Sequence, residues 1–459
     1  MAADEIAREK ISQTREIRHL HLGVDYGTSY SKLIFRDYGA VGGEKSFIVR
    51  QNPSLMNSDF RFPSIVSLKN GKLYFGKQAE RMVKQQDVMS YYSLKARFAF
   101  PEDFYQEPTA LPFDLTVQDL IVLSIVYLLV MGFGWAKVYA RRNGFDPILG
   151  MTLGVPMSYM DNIQLREQFS RIARKAYLLW KRLGTERLLD LYKNGMSVHS
   201  AKQLVKFAKM KDRGLPPPDY KSWIREEVSA AMIWSFNSPR IEEGLYAAFD
   251  IGAATTNASF FRIQSEHNDG EQRWIKTRLG FYGAVAETPG VDAYDKELAA
   301  CLDNKRVVDI RENENALLNS LGPEQRARLR EVADKIMNNC KHAFHRSYRK
   351  EPVQSRWEKY PLILLGGGSL VNGIREKLRI HVHHYSWGNP EIVDPGWPTD
   401  LRELDGRDAT GQSEFLLVAY GLSYISADVP EVKGPEDIGP FRLEPPPVNF
   451  VPHEEIYAK

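Results

Sequence analysis

Two short stretches place acids, glycines and hydroxyls where polyphosphate chemistry needs them. "HLGVDYGTSYSKLIF" sets Asp25 at the end of an apolar strand, then Gly27, Thr28, Ser29 and Tyr30, then a second apolar strand. "AAFDIGAATTNASFF" repeats that order with Asp250, Gly252, Ala253, Ala254 and Thr255. Glycine lets backbone N–H groups approach phosphate oxygens, and hydroxyls add uncharged donors. A carboxylate beside phosphates is repelled unless a divalent cation lies between, so Asp25 and Asp250 point to magnesium held through water. A third glycine run, Gly366, Gly367, Gly368 and Ser369, follows the strand in "LILLGGGSLVNGIREKL". Taken singly, each is read more simply as a turn, and either hairpin as an Asx-type turn. Two copies of one grammar, about half the chain apart and followed by a third turn, point to two related lobes closing on one ligand.

The elements that position these residues belong to a chain of 459 residues, a length that suggests about three domains, or two lobes with subdomains. With 43% hydrophobic and 26% charged residues the composition is that of an ordinary globular protein. The 61 basic and 58 acidic residues leave a net charge of +3, which gives no whole-molecule attraction to nucleic acid or membrane. Cys301 and Cys340 are too few for a disulfide framework, and no zinc-ligand spacing surrounds them. The first residues are charged and lack an apolar signal core, so a reduced, cytoplasmic setting is expected. "LIVLSIVYLLVMGFGWA", 120–136, is long enough to reach the lower limit of a membrane span, about 17 residues. It is expected instead to be a helix buried on all sides or facing a partner.

Residues 1–18 read as a charged N-terminal arm, and 19–80 as short strands broken by Gly, Asn and Asp. A strand over 146–156 is stopped by Pro156, and a helix over 161–184 starts from Asp161 or Asn162. Residues 185–220 read as a basic, irregular surface insertion ending in "RGLPPPDY". Within it, "KFAKMKDRGLPPPDYK" reads as a solvated loop, with nucleic-acid contact the lesser alternative. "HVHHYSW" clusters His381, His383 and His384, but alternation puts only two on one face and no third ligand is evident.

Together these blocks resemble the actin-like ATPase superfamily, and within it the nucleotide-binding domain of the seventy-kilodalton heat-shock chaperones. The first hairpin is similar to the phosphate-1 motif, the second to phosphate-2, and "LLGGGSLVNGI" to the adenosine motif. "RFPSIVSLKNGKLYFGKQAERM", "SLKARF", "MTLGVPMSYMDNIQLREQFSRIA", "IREEVSAAMIW", "PGVDAYDKEL" and "EFLLVAYGLSYISA" are similar to further blocks in the family's order, from about 20 to 427. The resemblance implies an α/β fold of the actin-like ATPase kind. Its two duplicated lobes would each be a mixed β-sheet flanked by helices, with ATP or ADP and magnesium in the cleft between them. It further implies that Lys95 reaches the γ-phosphate, that Glu226 serves a metal-bound water, and that Asp250 orients the attacking water. Gly290, in "PGVDAYDKEL", and Glu331 and Lys335, on the helix "LREVADKIMNNCKHAF", fall in the nucleotide-contacting segments.

Two departures matter. The family's phosphate-2 turn is richer in glycine and ends in an acid; here Ala253 and Ala254 fit only at negative φ, and Asn257 lacks the charge. The adenine helix does not restore the family's full acidic–basic–serine pattern. Nucleotide binding is therefore expected with slow hydrolysis. The expected layout is lobe I over 19–235, lobe II over 236–427, and a proline-rich tail over 428–459 in place of a peptide-binding domain. An ATP switch without an effector domain implies a protein partner, met through 120–136, 185–220 or the tail. A nucleotide-dependent filament of the bacterial-actin kind, and a non-hydrolysing ATP-binding scaffold, stay open as alternatives, as does a homo-oligomer.

Overall fold

The computed structural model describes residues 15–51, 59–83, 85–104, 114–237, 242–268, 273–301, 320–351, 357, 359–375, 377–378, 389–394, 396–409, 413–425 and 429–438. The His381–His384 cluster and tail residues 439–459 lie outside them. The chain opens with an antiparallel meander: β1 (Ile17–Asp25), β2 (Tyr30–Asp37) and β3 (Lys45–Ile48). The two-residue strand β4 (Phe62–Pro63) pairs with β2. β5 (Val66–Lys69), β6 (Lys72–Phe75) and β7 (Met89–Tyr91), with Met196–Ser197 as a fourth strand, build a small separate sheet on which α1 (Gly76–Met82) packs, and α2 (Leu94–Ala99) follows.

Next comes α3 (Val117–Arg142), which holds the apolar run. Its start is fixed by a capping box: the Thr116 hydroxyl accepts from the Asp119 amide at 3.2 Å, and Asp119 accepts from the Thr116 amide at 3.1 Å. The helix is long and apolar enough to cross a membrane, yet 83% of its most apolar window is buried between the first sheet and α5. A helix that is apolar all round is covered all round, and here the cover is the protein itself.

β8 (Asp146–Val155) lies parallel to β1, and the short α4 (Met157–Asp161) leads into α5 (Ile163–Lys193). Asn162 is the cap of α5, its side chain accepting from the Leu165 amide at 3.1 Å. The expected irregular insertion is largely helical: α5 continues beyond a break at Gly184, and after β9 (Met196–Ser197) comes α6 (Val198–Arg213). Val198, Ala201, Val205 and Ala208 bury one stripe of α6 under a lysine-rich outer face, so the basic residues hid a helical period. β10 (Ile224–Glu226) pairs parallel with β8, and α7 (Glu227–Asn237) follows directly.

The second half repeats the scheme. β11 (Gly244–Ile251), β12 (Thr256–Asn268) and β13 (Arg273–Glu287) form a meander. After α8 (Val291–Cys301) and α9 (Pro323–Lys350), β14 (Lys359–Leu365) lies parallel to β11, and β15 (Asn389–Val393) parallel to β14. The chain then returns to the first sheet, where β16 (Leu401–Arg402) pairs with β3 and α10 (Ser413–Leu422) packs on β1, β2, β8 and α7. Lobe II is thus not continuous over 236–427, because 401–425 completes lobe I. Finally β17 (Glu431–Lys433) adds to β13 in the second sheet. The sheet orders are β10-β8-β1-β2-β3-β16 and β15-β14-β11-β12-β13-β17, the same arrangement twice. The molecule is mixed α/β, each mixed sheet flanked by helices.

Candidate functional site between the two hairpins

Both hairpins end in one register. Asp25 faces Lys32 across the β1–β2 ladder, and Asp250 faces Asn257 across β11–β12. Directly opposed residues on an antiparallel pair bring their side chains together. The Lys32 ammonium donates to Asp25 at 3.0 Å, and the Asn257 amide donates to Asp250 at 3.2 Å. Asn257 Oδ1 is buried without a hydrogen-bond partner among the described residues.

Two more charges complete the cluster. Lys95, buried on α2, pairs with Glu227, the buried first residue of α7. Burial works against the Lys32 charge, but Asp25, Asp250 and Glu227 outweigh it and hold the ammonium above its usual range. Burial, with the Asp25 and Asp250 charges, holds Glu227 up at about 7 against the pull of Lys95. Burial and then the Asp25 charge push Asp250 up, against the pull of Lys32, Asn257 and Lys95. Carboxylates from both sheets are thus close enough to repel one another, with two ammonium groups set among them.

The sequence reading put Glu226 at this point, whereas in the structure it is Glu227 that pairs with Lys95. Glu226 closes β10, with its side chain turned to the Ser229 hydroxyl at 3.0 Å. A one-residue slip at a strand end moves a side chain to the opposite face. Lys32 was missed altogether. Its signal was available: a lysine at the start of the apolar run Leu33–Phe35, in register with the acid that ends the preceding strand.

The glycine turns are tight and occupied by their own chain. A Cβ at Gly27 would lie 2.2 Å from the Tyr30 carbonyl. Thr28 and Ser29 are half-buried at the tip, whereas Tyr30 points away, its hydroxyl donating to Glu80 at 3.2 Å. In the second turn the Gly252 amide bonds the Thr255 carbonyl at 3.0 Å, and Ala253 and Ala254 are not among the residues of positive φ. Gly290 sits where a Cβ would be 2.4 Å from the Ala253 carbonyl. The first amides of α8, Val291 and Asp292, are taken by the Gly252 and Ala253 carbonyls at 2.9 and 2.8 Å.

The third glycine turn joins the second hairpin. Gly366 has φ +76°, and a Cβ there would lie 2.3 Å from Asp250 Oδ1, so only glycine fits. Beyond it, Gly367, Gly368 and Ser369 form a single 3-10 turn closed by the Ser369 hydroxyl on the Gly366 carbonyl at 2.7 Å. Glu331 and Lys335 pair with each other at 3.1 Å on the exposed face of α9, and among the described residues their ion pair is with each other rather than with the cluster.

Among the described residues no three His, Cys, Asp or Glu side chains converge to hold a metal directly. Magnesium needs no such cage, since it keeps several waters and takes one or two carboxylates plus substrate phosphates. Asp25 and Asp250, mutually repelling across the interface, and the orphaned Asn257 oxygen fit that outer-sphere role. The cluster can therefore grip an anion through Lys32 and Lys95, and serve a water through Glu227 and Asp250. No protein-family model matches this chain, and no curated protein matches it.

Proposed function

We propose that this chain is an ATP-binding protein of the actin-like ATPase fold, nearest in kind to the chaperone nucleotide-binding domain. It hydrolyses Mg·ATP slowly and works as an open–closed switch read by a partner protein. The observation that carries this reading is the convergence of Asp25, the last residue of β1, and Asp250, the penultimate residue of β11, on one cluster with Lys32, Lys95 and Glu227.

In this reading Lys32 and Lys95 exchange their carboxylate partners for phosphate oxygens, which offsets the triphosphate charge. Asp25 and Asp250 would accept hydrogen bonds from the waters of a bound magnesium ion, which would supply charge neutralisation to the triphosphate. Glu227 and Asp250 orient the attacking water and accept its hydrogen bonds. As the water oxygen bonds to the γ-phosphorus, one of its protons passes to the Glu227 carboxylate and the bond to the β-phosphate oxygen breaks, its electron pair leaving on ADP. One Asp250 oxygen already accepts from Asn257, where the family's turn carries an acid, which favours slow turnover. A ligand gripped from both lobes shifts their equilibrium by its differential affinity for the closed form.

A non-hydrolysing scaffold is the second reading. The Lys32–Asp25 and Lys95–Glu227 pairs favour it, because both bases are spent on carboxylates of the protein. Thermal shift with Mg·ATP and phosphate release decide between the readings. A stabilised protein that releases phosphate, with release lost in Asp25→Ala and Asp250→Asn, supports the switch. Stabilisation without release supports the scaffold, and no thermal shift at millimolar Mg·ATP removes both.

A further inference from the structure

A second cavity lies away from the hairpins, at the edge of the first sheet. β10 pairs with β8 only over Leu153–Val155, so the earlier part of β8 has an open edge beside Ser222 and Trp223. A cavity of about 300 Å³ occupies this notch, with His19, His21, Gly150, Tyr177, Trp223 and Ile425 in its lining. Small-ligand sites begin at about that size.

Among its polar groups are two imidazoles two positions apart on β1, which share a face. His21 is only 8% exposed; its Nε2 lies 2.8 Å from the Thr152 hydroxyl, and its Nδ1, itself buried, has no hydrogen-bond partner among the described residues. Register sets Gly150 opposite His21, and a Cβ at Gly150 would lie 2.7 Å from His21 Nδ1 and 3.2 Å from His19 Nε2. Two ring nitrogens thus converge over a residue that has no side chain. If the Thr152 hydroxyl donates to Nε2, the ring hydrogen sits on Nδ1 and one donor lacks an acceptor. The opposite arrangement leaves both the hydroxyl hydrogen and Nδ1 unpaired, which costs more.

Burial holds the His21 pKa down at about 3 and lowers that of His19, so both rings are neutral. Neither then offers a cation to a phosphate or carboxylate. Tyr177 and Trp223, edge to face with ring centroids 5.7 Å apart, supply flat apolar walls, and the Tyr177 hydroxyl is spent on the Leu149 carbonyl. We propose that this cavity is a second ligand site, for a small, planar, uncharged aromatic amide whose carbonyl accepts from His21 while its ring lies against Trp223 and Tyr177. The proposal stands apart from the ATP reading, and either can fail alone.

The test uses the full chain and benzamide, with benzoate and benzylammonium as charged analogues, in saturation-transfer NMR with and without Mg·ATP. Benzamide is expected to bind with a Kd of about 1 mM. The charged analogues should bind at least about tenfold more weakly, and ATP should not compete. Ser222→Trp, at the exposed mouth, should abolish binding, and His21→Phe should weaken it about fivefold through the lost hydrogen bond. No transfer from benzamide, equal binding of all three probes, displacement by ATP, or unchanged binding in Ser222→Trp would each overturn the proposal. Should His21→Phe lose its cooperative melt, Ser222→Trp alone decides.

Discussion

A buried lysine beside a buried glutamate is costly to isolate and stable only as a pair. Lys95 and Glu227 are each 7% exposed, so removing one leaves the other charged in a poor solvent. Lys95→Met should lower unfolding free energy by about 3 kcal/mol in urea titration. The Lys95→Met, Glu227→Gln double variant should recover most of that loss, and both should fail to release phosphate from ATP. The same glutamate sets a pH dependence. Its carboxyl titrates at about 7 in the folded chain against an ordinary 4.5, so the folded state binds the extra proton between those values. Its contribution is complete below about pH 4.5 and is lost as pH rises through about 7. Melting temperatures measured from pH 4.5 to 8 should fall along that course, and Glu227→Gln should remove that component. At this scale Asp25 and Asp250 were legible from the sequence because each lies where an apolar strand gives way to a glycine turn, whereas Lys95 was reached only through the family resemblance. Glu226 and Glu227 are adjacent and alike, and only the turn from β10 into α7 decides which faces inward.

Among elements, α3 separates composition from environment. Its hydropathy suits a membrane or a partner as well as a core, and burial against the first sheet and α5 decides for the core. Leu129→Ala, at a position with no exposure, should cost about 3 kcal/mol in chemical denaturation. A side chain waiting for a partner would cost almost nothing in the isolated chain. The strands of both meanders could be read because their apolar runs end at Asp and Gly. The outer half of the α5–α6 pair was not, because lysine and arginine dominate its exposed face and mask an apolar stripe only four residues long.

At the scale of the molecule, two sheets of one order meet through their hairpins, and the chain crosses between them more than once. After α10 it passes to the second sheet, where β17 is held by Glu431 on Arg278 and the following turn by Lys350. Asp161, at the end of α4 in lobe I, lies against Gly434 of this strap. Burial pushes Asp161 up to about 6, followed by repulsion from Glu436; Asp437 and Glu226 add to it, and Lys350 opposes. A carboxyl raised in the folded form stabilises this contact below its ordinary value of 3.8, and that contribution is lost as pH rises through about 6. Amide exchange in 429–438 should therefore quicken from pH 4 to 7 beyond its intrinsic rise, and Asp161→Asn should remove the excess. Unchanged excess exchange in that variant would show that the strap is held by β17 pairing alone.

The sequence alone determined the two hairpins, the acids near the ends of their first strands and the α/β character, because each rests on patterns within a few residues. It did not determine that 401–425 returns to lobe I, that Lys32 meets three carboxylates, or that α3 is interior. Those depend on which surfaces are brought together by packing over hundreds of residues, and a local pattern holds no record of its distant neighbours.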